Sequence, residues 1–118
     1  MNTLIEYMYR DADNYKVHNS CVCPGEITSD EIDQIIACLD EGEFFIPSVV
    51  GMPTERFSEW DDQSDHDWLE LTNLRRAFSL TDAKPTLDIN IHELAGAFLK
   101  AKDRWEYLYQ NGICVVGK

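Results

Sequence analysis

The sequence predicts an α+β domain, a small mixed and mostly antiparallel sheet with two amphipathic helices packed on one face. Three observations lead there. The chain opens with two β-branched and aromatic runs joined by a polar, turn-forming stretch. Two later segments carry apolar residues at helical spacing behind capping residues. Between them lie short apolar runs punctuated by glycine and proline. The 118 residues suit one domain over 1–118, long enough to bury a core without metal or disulfide staples.

Leu4-Ile5-Glu6-Tyr7-Met8-Tyr9 reads as the first strand. Arg10 to Asn14 is a polar turn, and Tyr15 to Cys23 reads as the second strand, stopping at Pro24-Gly25. Thr28-Ser29-Asp30-Glu31 fits a capping box, in which a threonine hydroxyl and a glutamate three residues on satisfy each other's backbone N–H groups. Ile32, Ile35, Ile36 and Leu39 then form one apolar helix face, with Gly42 as the expected terminator. Phe44-Phe45-Ile46-Pro47 predicts a short buried strand, and Ser48 to Thr54 a loop or edge segment. Arg56 to Trp60 alternates like a strand, and Asp61 to Asp67 is an acidic loop. Trp68 to Leu74 predicts a strand reaching towards Phe78, with a helix as the alternative because Leu71, Leu74, Arg75 and Phe78 also fit helical spacing. Asn90 caps a second helix whose stripe runs through Ile91, Leu94, Ala95, Phe98, Trp105, Leu108 and Tyr109 to Gly112. Ile113 to Val116 predicts a last strand. The expected core is Ile32, Ile35, Ile36, Leu39, Leu94, Phe98 and Trp105.

The net charge is −12 and unevenly placed. Residues 1–50 hold two basic and ten acidic side chains, whereas residues 83–118 hold five and four. A field of that sign repels nucleic acid and anionic membranes and attracts basic partners. The longest apolar run is too short to span a bilayer and the N-terminus lacks a secretory pattern, so a cytoplasmic protein is expected. The four cysteines, Cys21, Cys23, Cys38 and Cys114, are then expected as free thiols. Cys21 and Cys23 share a strand face, but the expected reading is buried inert thiols rather than zinc ligands.

Two clusters could carry chemistry. Arg10, Asn14, Tyr15 and Lys16 at the hairpin tip could hold an anion or stack a ring, or could form a structural turn. Asp61-Asp62-Gln63-Ser64-Asp65-His66-Asp67 is rich in ligand atoms but lacks the alternation, central glycine and distal glutamate of a calcium loop, and reads as solvated. No nucleophile elbow, phosphate loop or two-histidine motif is present, so no catalytic residue, cofactor or metal is assigned, and His18, His66 and His92 are scattered.

Tyr9-Arg10-Asp11-Ala12-x-Asn14-Tyr15-Lys16, Asp40-Glu41-Gly42-Glu43-Phe44-Phe45-Ile46-Pro47, Val50-Gly51-Met52-Pro53 and Asp65-His66-Asp67-Trp68-Leu69-Glu70 occur in that order. Together they are similar to a family of small acidic hypothetical proteins of bacteria, phages and other mobile elements. The similarity covers roughly residues 3–108 and implies a domain type without an activity. Within that setting the expected function is an acidic interaction module, an inhibitor that binds a nucleic-acid-binding host protein by charge mimicry. Its partner face would comprise Asp30, Asp33, Glu41, Glu43, Asp61, Asp62, Asp65 and Asp67. The alternative is a small-molecule or nucleotide-binding protein using Arg10, Asn14, Tyr15 and Lys16, and a metal-dependent enzyme built on Asp61 to Asp67 ranks last. Oligomeric state is left open.

Overall fold

A computed structural model describes residues 1–10, 13–54 and 68–116. Strands β1 (Asn2–Arg10) and β2 (Lys16–Cys23) form an antiparallel hairpin, followed by helix α1 (Ser29–Ala37). Then come β3 (Phe44–Phe45), a 3-10 turn at Pro47–Val49, β4 (Leu69–Leu71), a second 3-10 turn at Leu74–Ala77, and β5 (Phe78–Thr81). Helices α2 (Ile91–Ala101) and α3 (Trp105–Gln110) close the fold. The strands make one five-stranded sheet in the order β2-β1-β4-β3, with β5 also pairing β1, so the predicted α+β class holds. Among the described residues no helix is long and apolar enough to cross a membrane.

Strand β1 is the axis of the sheet. One edge pairs with β2 from Thr3↔Cys23 to Arg10↔Lys16. The other edge takes β5 beside Asn2 to Ile5 and β4 beside Tyr7 and Met8. The predicted strand from Trp68 towards Phe78 is therefore two short strands on one edge of β1, with residues 72–77 looping out between them. The helical spacing of Leu71, Leu74 and Phe78 marks no α-helix: Leu71 and Phe78 are buried strand residues, and the excursion between them contains one 3-10 turn that leaves Leu74 exposed. The N–H of Thr72 still reaches Glu6 O at 3.0 Å, which holds the excursion against the strand.

Alternation along β1 assigns the faces. Thr3, Ile5, Tyr7 and Tyr9 are buried, Glu6 is exposed, and Leu4, Met8 and Arg10 are half-buried. Register carries the pattern outward, placing Cys21 and Cys23 of β2 and Leu69 and Leu71 of β4 on the core side with them. The helices cover this side. Phe45, Phe98 and Trp105 meet with ring centroids 5.4 to 6.3 Å apart, and Tyr7 reaches Phe45 at 5.8 Å. Phe45 and Phe98 are tilted at 44° and the other pairs lie edge to face, and such packing adds to the burial of large rings. Each polar handle among them is satisfied, the Trp105 indole by Cys38 O at 2.9 Å and the Tyr7 hydroxyl by Pro53 O at 2.5 Å. Of the expected core, Ile35, Leu39, Leu94, Phe98 and Trp105 are buried, whereas Ile32 and Ile36 only pack partly against it.

Both N-terminal caps form as the sequence predicts. The Thr28 hydroxyl accepts from Glu31 N–H at 3.2 Å, and Glu31 Oε1 accepts from Thr28 N–H at 3.0 Å. Asn90 Oδ1 accepts from His92 N–H at 2.9 Å at the start of α2. The ends differ more from expectation. Helix α1 stops at Ala37, not at Gly42, because Leu39 turns into the core and Asp40 pairs with Phe44. The long second helix is two, broken at residues 102–104 where Asp103 takes a φ of 61°. Ile113 to Val116 adds no strand. Gly112 N–H and Ile113 N–H bond back to Tyr109 O and Leu108 O in a Schellman cap, and Val115 N–H then reaches Val49 O at 2.9 Å. The predicted strand Arg56 to Trp60 and the loop Asp61 to Asp67 lie outside the described residues.

At the outer edge of β2, Val22 is stitched to the segment before α2. Its N–H donates to the Thr86 hydroxyl at 2.8 Å, and its carbonyl accepts from the N–H groups of Thr86 and Leu87.

Candidate interaction site

The sheet face opposite the helices carries the polar chemistry of the fold. Met8 pairs with Glu70, and Glu70 with Phe44, so these three side chains share that face. Arg10 lies two residues beyond Met8, diagonal to Glu70. Its guanidinium grips the Glu70 carboxylate as a fork, Nε to Oε2 at 3.2 Å and Nη2 to Oε1 at 3.0 Å, while Nη1 donates to Asn14 Oδ1. The hydrogen bonds to Glu70 raise the Arg10 pKa above its ordinary value; desolvation opposes this, and the charges of Glu70 and Glu43 add to it. A depression of about 220 Å³ runs past Arg10, Glu43, Glu70 and Leu74.

This arrangement bears on the hairpin-tip cluster. The structure brings Arg10 and Asn14 together, with Asn14 in the left-handed region at φ 68°, and leaves Tyr15 and Lys16 exposed. Arg10 is neutralised by one carboxylate and faces a second, so its charge serves the fold before it can serve an anionic ligand.

The acidic residues divide by what they touch. On α1, Asp33 pairs with Arg75, whose Nη2 also donates to Ser29 Oγ at 3.0 Å, while Asp30 is exposed in the first turn. Glu31 serves the cap and also meets His92 Nδ1 at 2.6 Å. Desolvation pushes the Glu31 carboxyl up, but the hydrogen bonds from His92 and Thr28 and the charge of His92 together hold it below the usual carboxylate range. Glu41 and Glu43 lie on a tight hairpin turn. Asp40 and Phe44 exchange backbone hydrogen bonds of 2.7 and 3.0 Å, Glu43 N–H donates to Asp40 O, and Glu41 and Gly42 have φ of 54° and 73°. Positive φ at both residues is the left-handed backbone that tight hairpin connections use. Asp61, Asp62, Asp65 and Asp67 lie outside the described residues.

Beside this turn is a cavity of about 310 Å³ lined, among the described residues, by Asp40, Glu41, Phe44 and Trp68. Alternation explains its lining. Phe44 and Trp68 flank Glu70 on the same sheet face, and the Asp40–Phe44 bridge places Asp40 there too. Among the described residues, the Asp40 and Glu41 side chains have no hydrogen bond or ion pair, whereas Asp33, Glu31, Glu70 and Glu26 each have one. Sequence reasoning named Glu41 and Glu43 but missed Asp40, Phe44 and Trp68. The usable signal was the Asp-Glu-Gly-Glu turn between an aromatic run and its pairing partner, which aligns residues of equal parity across the hairpin.

Cys21, Cys23 and Cys38 are buried and Cys114 is exposed. Contact with Cys23 and burial together hold the Cys21 thiol well above its ordinary value. Among the described residues no group of three histidine, cysteine or carboxylate side chains converges as a metal site would require. No family model, curated protein or solved structure matches the chain.

Proposed function

We propose that this protein is an acidic interaction module that binds a basic surface of another protein, and that in its finer form it inhibits a nucleic-acid-binding protein by presenting carboxylates where phosphates would lie. The observation that carries the reading is the Asp40-Glu41-Gly42-Glu43 turn. It fixes three carboxylates on a rigid backbone, and two of them lack internal partners among the described residues. Pre-formed charge of this kind steers a basic partner and costs little ordering on binding. The alternative, an anionic or nucleotide ligand at Arg10, Asn14, Tyr15 and Lys16, is weakened by the Arg10–Glu70 fork, which compensates the positive charge such a ligand would need.

The test is affinity capture from a cell lysate with the native chain as bait, beside one carrying Asp30→Lys, Glu41→Lys and Glu43→Lys, and a third carrying Arg10→Gln and Lys16→Gln. Basic nucleic-acid-binding proteins retained by the first and third baits but not the second support the proposal. Retention lost only with the Arg10 and Lys16 changes transfers the function to the hairpin tip. Extending the reversals to Asp61, Asp62, Asp65 and Asp67 measures what that loop adds.

A further inference from the structure

We infer that the cavity between the hairpin turn and the start of β4 receives an arginine side chain of the basic partner. The inference rests on the interaction-module reading and makes it local. The lining combines two aromatic rings, Phe44 and Trp68, with two carboxylates, Asp40 and Glu41. Aromatic faces attract a cation through the ring quadrupole, and a guanidinium also stacks flat on them and donates a pair of hydrogen bonds to a carboxylate in fork geometry. An ammonium does the first of these and not the second. The volume, about 310 Å³, is at the lower end of small-ligand pockets, which suits one long side chain better than a large cofactor.

Charge accounting inside the molecule points the same way. Arg10 is taken by Glu70, Arg75 by Asp33, and the N-terminal ammonium by Glu26. The same fold already shows the chemistry at its neighbouring depression, where the Arg10 guanidinium lies on this sheet face held by a carboxylate. At the cavity the carboxylates are present and, among the described residues, no internal guanidinium or ammonium pairs with them. The turn that supplies them is held by its own hydrogen bonds, so the backbone carrying both carboxylates is set before the partner arrives. Arginine is also, with tryptophan and tyrosine, among the side chains enriched where a few residues dominate a protein interface.

The experiment titrates the full chain with a hexa-arginine peptide, a hexa-lysine peptide and a hexa-glutamate peptide, following the Trp68 indole N–H by ¹H–¹⁵N NMR and affinity by calorimetry. Two variants remove the same formal charge, Asp40→Asn with Glu41→Asn at the cavity and Asp82→Asn with Asp88→Asn away from it. Asparagine is chosen at 41 because it accepts the positive φ of that position. The expected result is a Trp68 shift with hexa-arginine, weaker binding of hexa-lysine, and a loss of roughly tenfold in affinity for the cavity variant that the distal variant does not show. Trp68→Leu should weaken hexa-arginine binding while leaving net charge unchanged. Equal losses for the two charge-matched variants, or an unmoved Trp68 signal, would overturn the cavity assignment while leaving the acidic-module reading standing. Equal affinity for hexa-lysine at the same indole overturns the arginine assignment. No binding of either basic peptide by the native chain removes the acidic-module reading itself.

Discussion

At the scale of single residues, stability is concentrated where Phe45, Phe98 and Trp105 meet. Phe98 is 1% exposed and touches both other rings, so truncating it leaves a void that rigid neighbours cannot close. Phe98→Ala should cost about 3–5 kcal/mol in urea unfolding, the range for large aromatics in cores. A midpoint within experimental error of the native chain would remove Phe98 from the centre of the core. Glu31 offers a pH-dependent test. Its folded carboxyl titrates below its usual range, so the stabilisation is present above the unfolded value and is lost as pH falls through the folded one. Glu31→Gln keeps acceptors for the Thr28 cap but no ionisation. The native chain should therefore exceed the variant in stability at neutral pH, and the gap should close in acid; a gap that is constant with pH would contradict the assigned partners. Thr28 and Glu31 were legible in the sequence because a capping box is written in four consecutive residues. The Arg10–Glu70 fork was not, because its partners are sixty positions apart and meet only through the β1–β4 register.

At the scale of elements, the Asp40–Phe44 turn makes the sharpest prediction. Gly42 has φ 73° with open space where a Cβ would stand, so Gly42→Ala meets no clash and its cost is purely conformational. That cost should be about 1–2 kcal/mol. Glu41→Asn should by comparison be neutral or mildly stabilising, as asparagine tolerates the left-handed region better than glutamate. Thermal melts of both variants check the pair, and equal losses would mean that side-chain contacts, not backbone geometry, hold the turn. The same element shows why helix ends were hard to read. Glycine at 42 marks a positive φ equally well after a helix or inside a hairpin, and only the return pairing of Phe44 with Asp40 decides. The break between α2 and α3 was hidden for a related reason. Phe98, Ala101, Trp105 and Leu108 are all buried at helical spacing, so the apolar stripe continues across a backbone that does not.

At the scale of the whole molecule, charge and fold divide the labour. The helices bury one sheet face, and the other carries the fork, the acidic turn and the cavity. A net charge of −12 predicts that association with any basic partner is fast at low salt and weakens steeply as salt rises, mainly through the association rate. Surface-plasmon measurements across a salt series should show this, and a salt-independent affinity would argue against an electrostatic interface. The sign and lopsidedness of the charge were plain from the sequence. Which carboxylates remain available was not, because that depends on where each arginine ends up in three dimensions.

The stitch between Val22 and Thr86 has a consequence for self-association. A strand at the border of a sheet offers its backbone to any other extended chain, and proteins that remain monodisperse keep that border occupied. Val22 is the outward-facing rung nearest the end of β2, and both its donor and its acceptor are already engaged by a hydroxyl and two amides of its own chain. A foreign strand laid along β2 would have to displace Thr86 before it could zip past that rung. The threonine thus acts as a stop at one end of a template, and Thr86→Val, which keeps the shape but removes the hydroxyl that accepts from Val22, is the substitution with which to look for fibrillar or edge-paired species at high concentration.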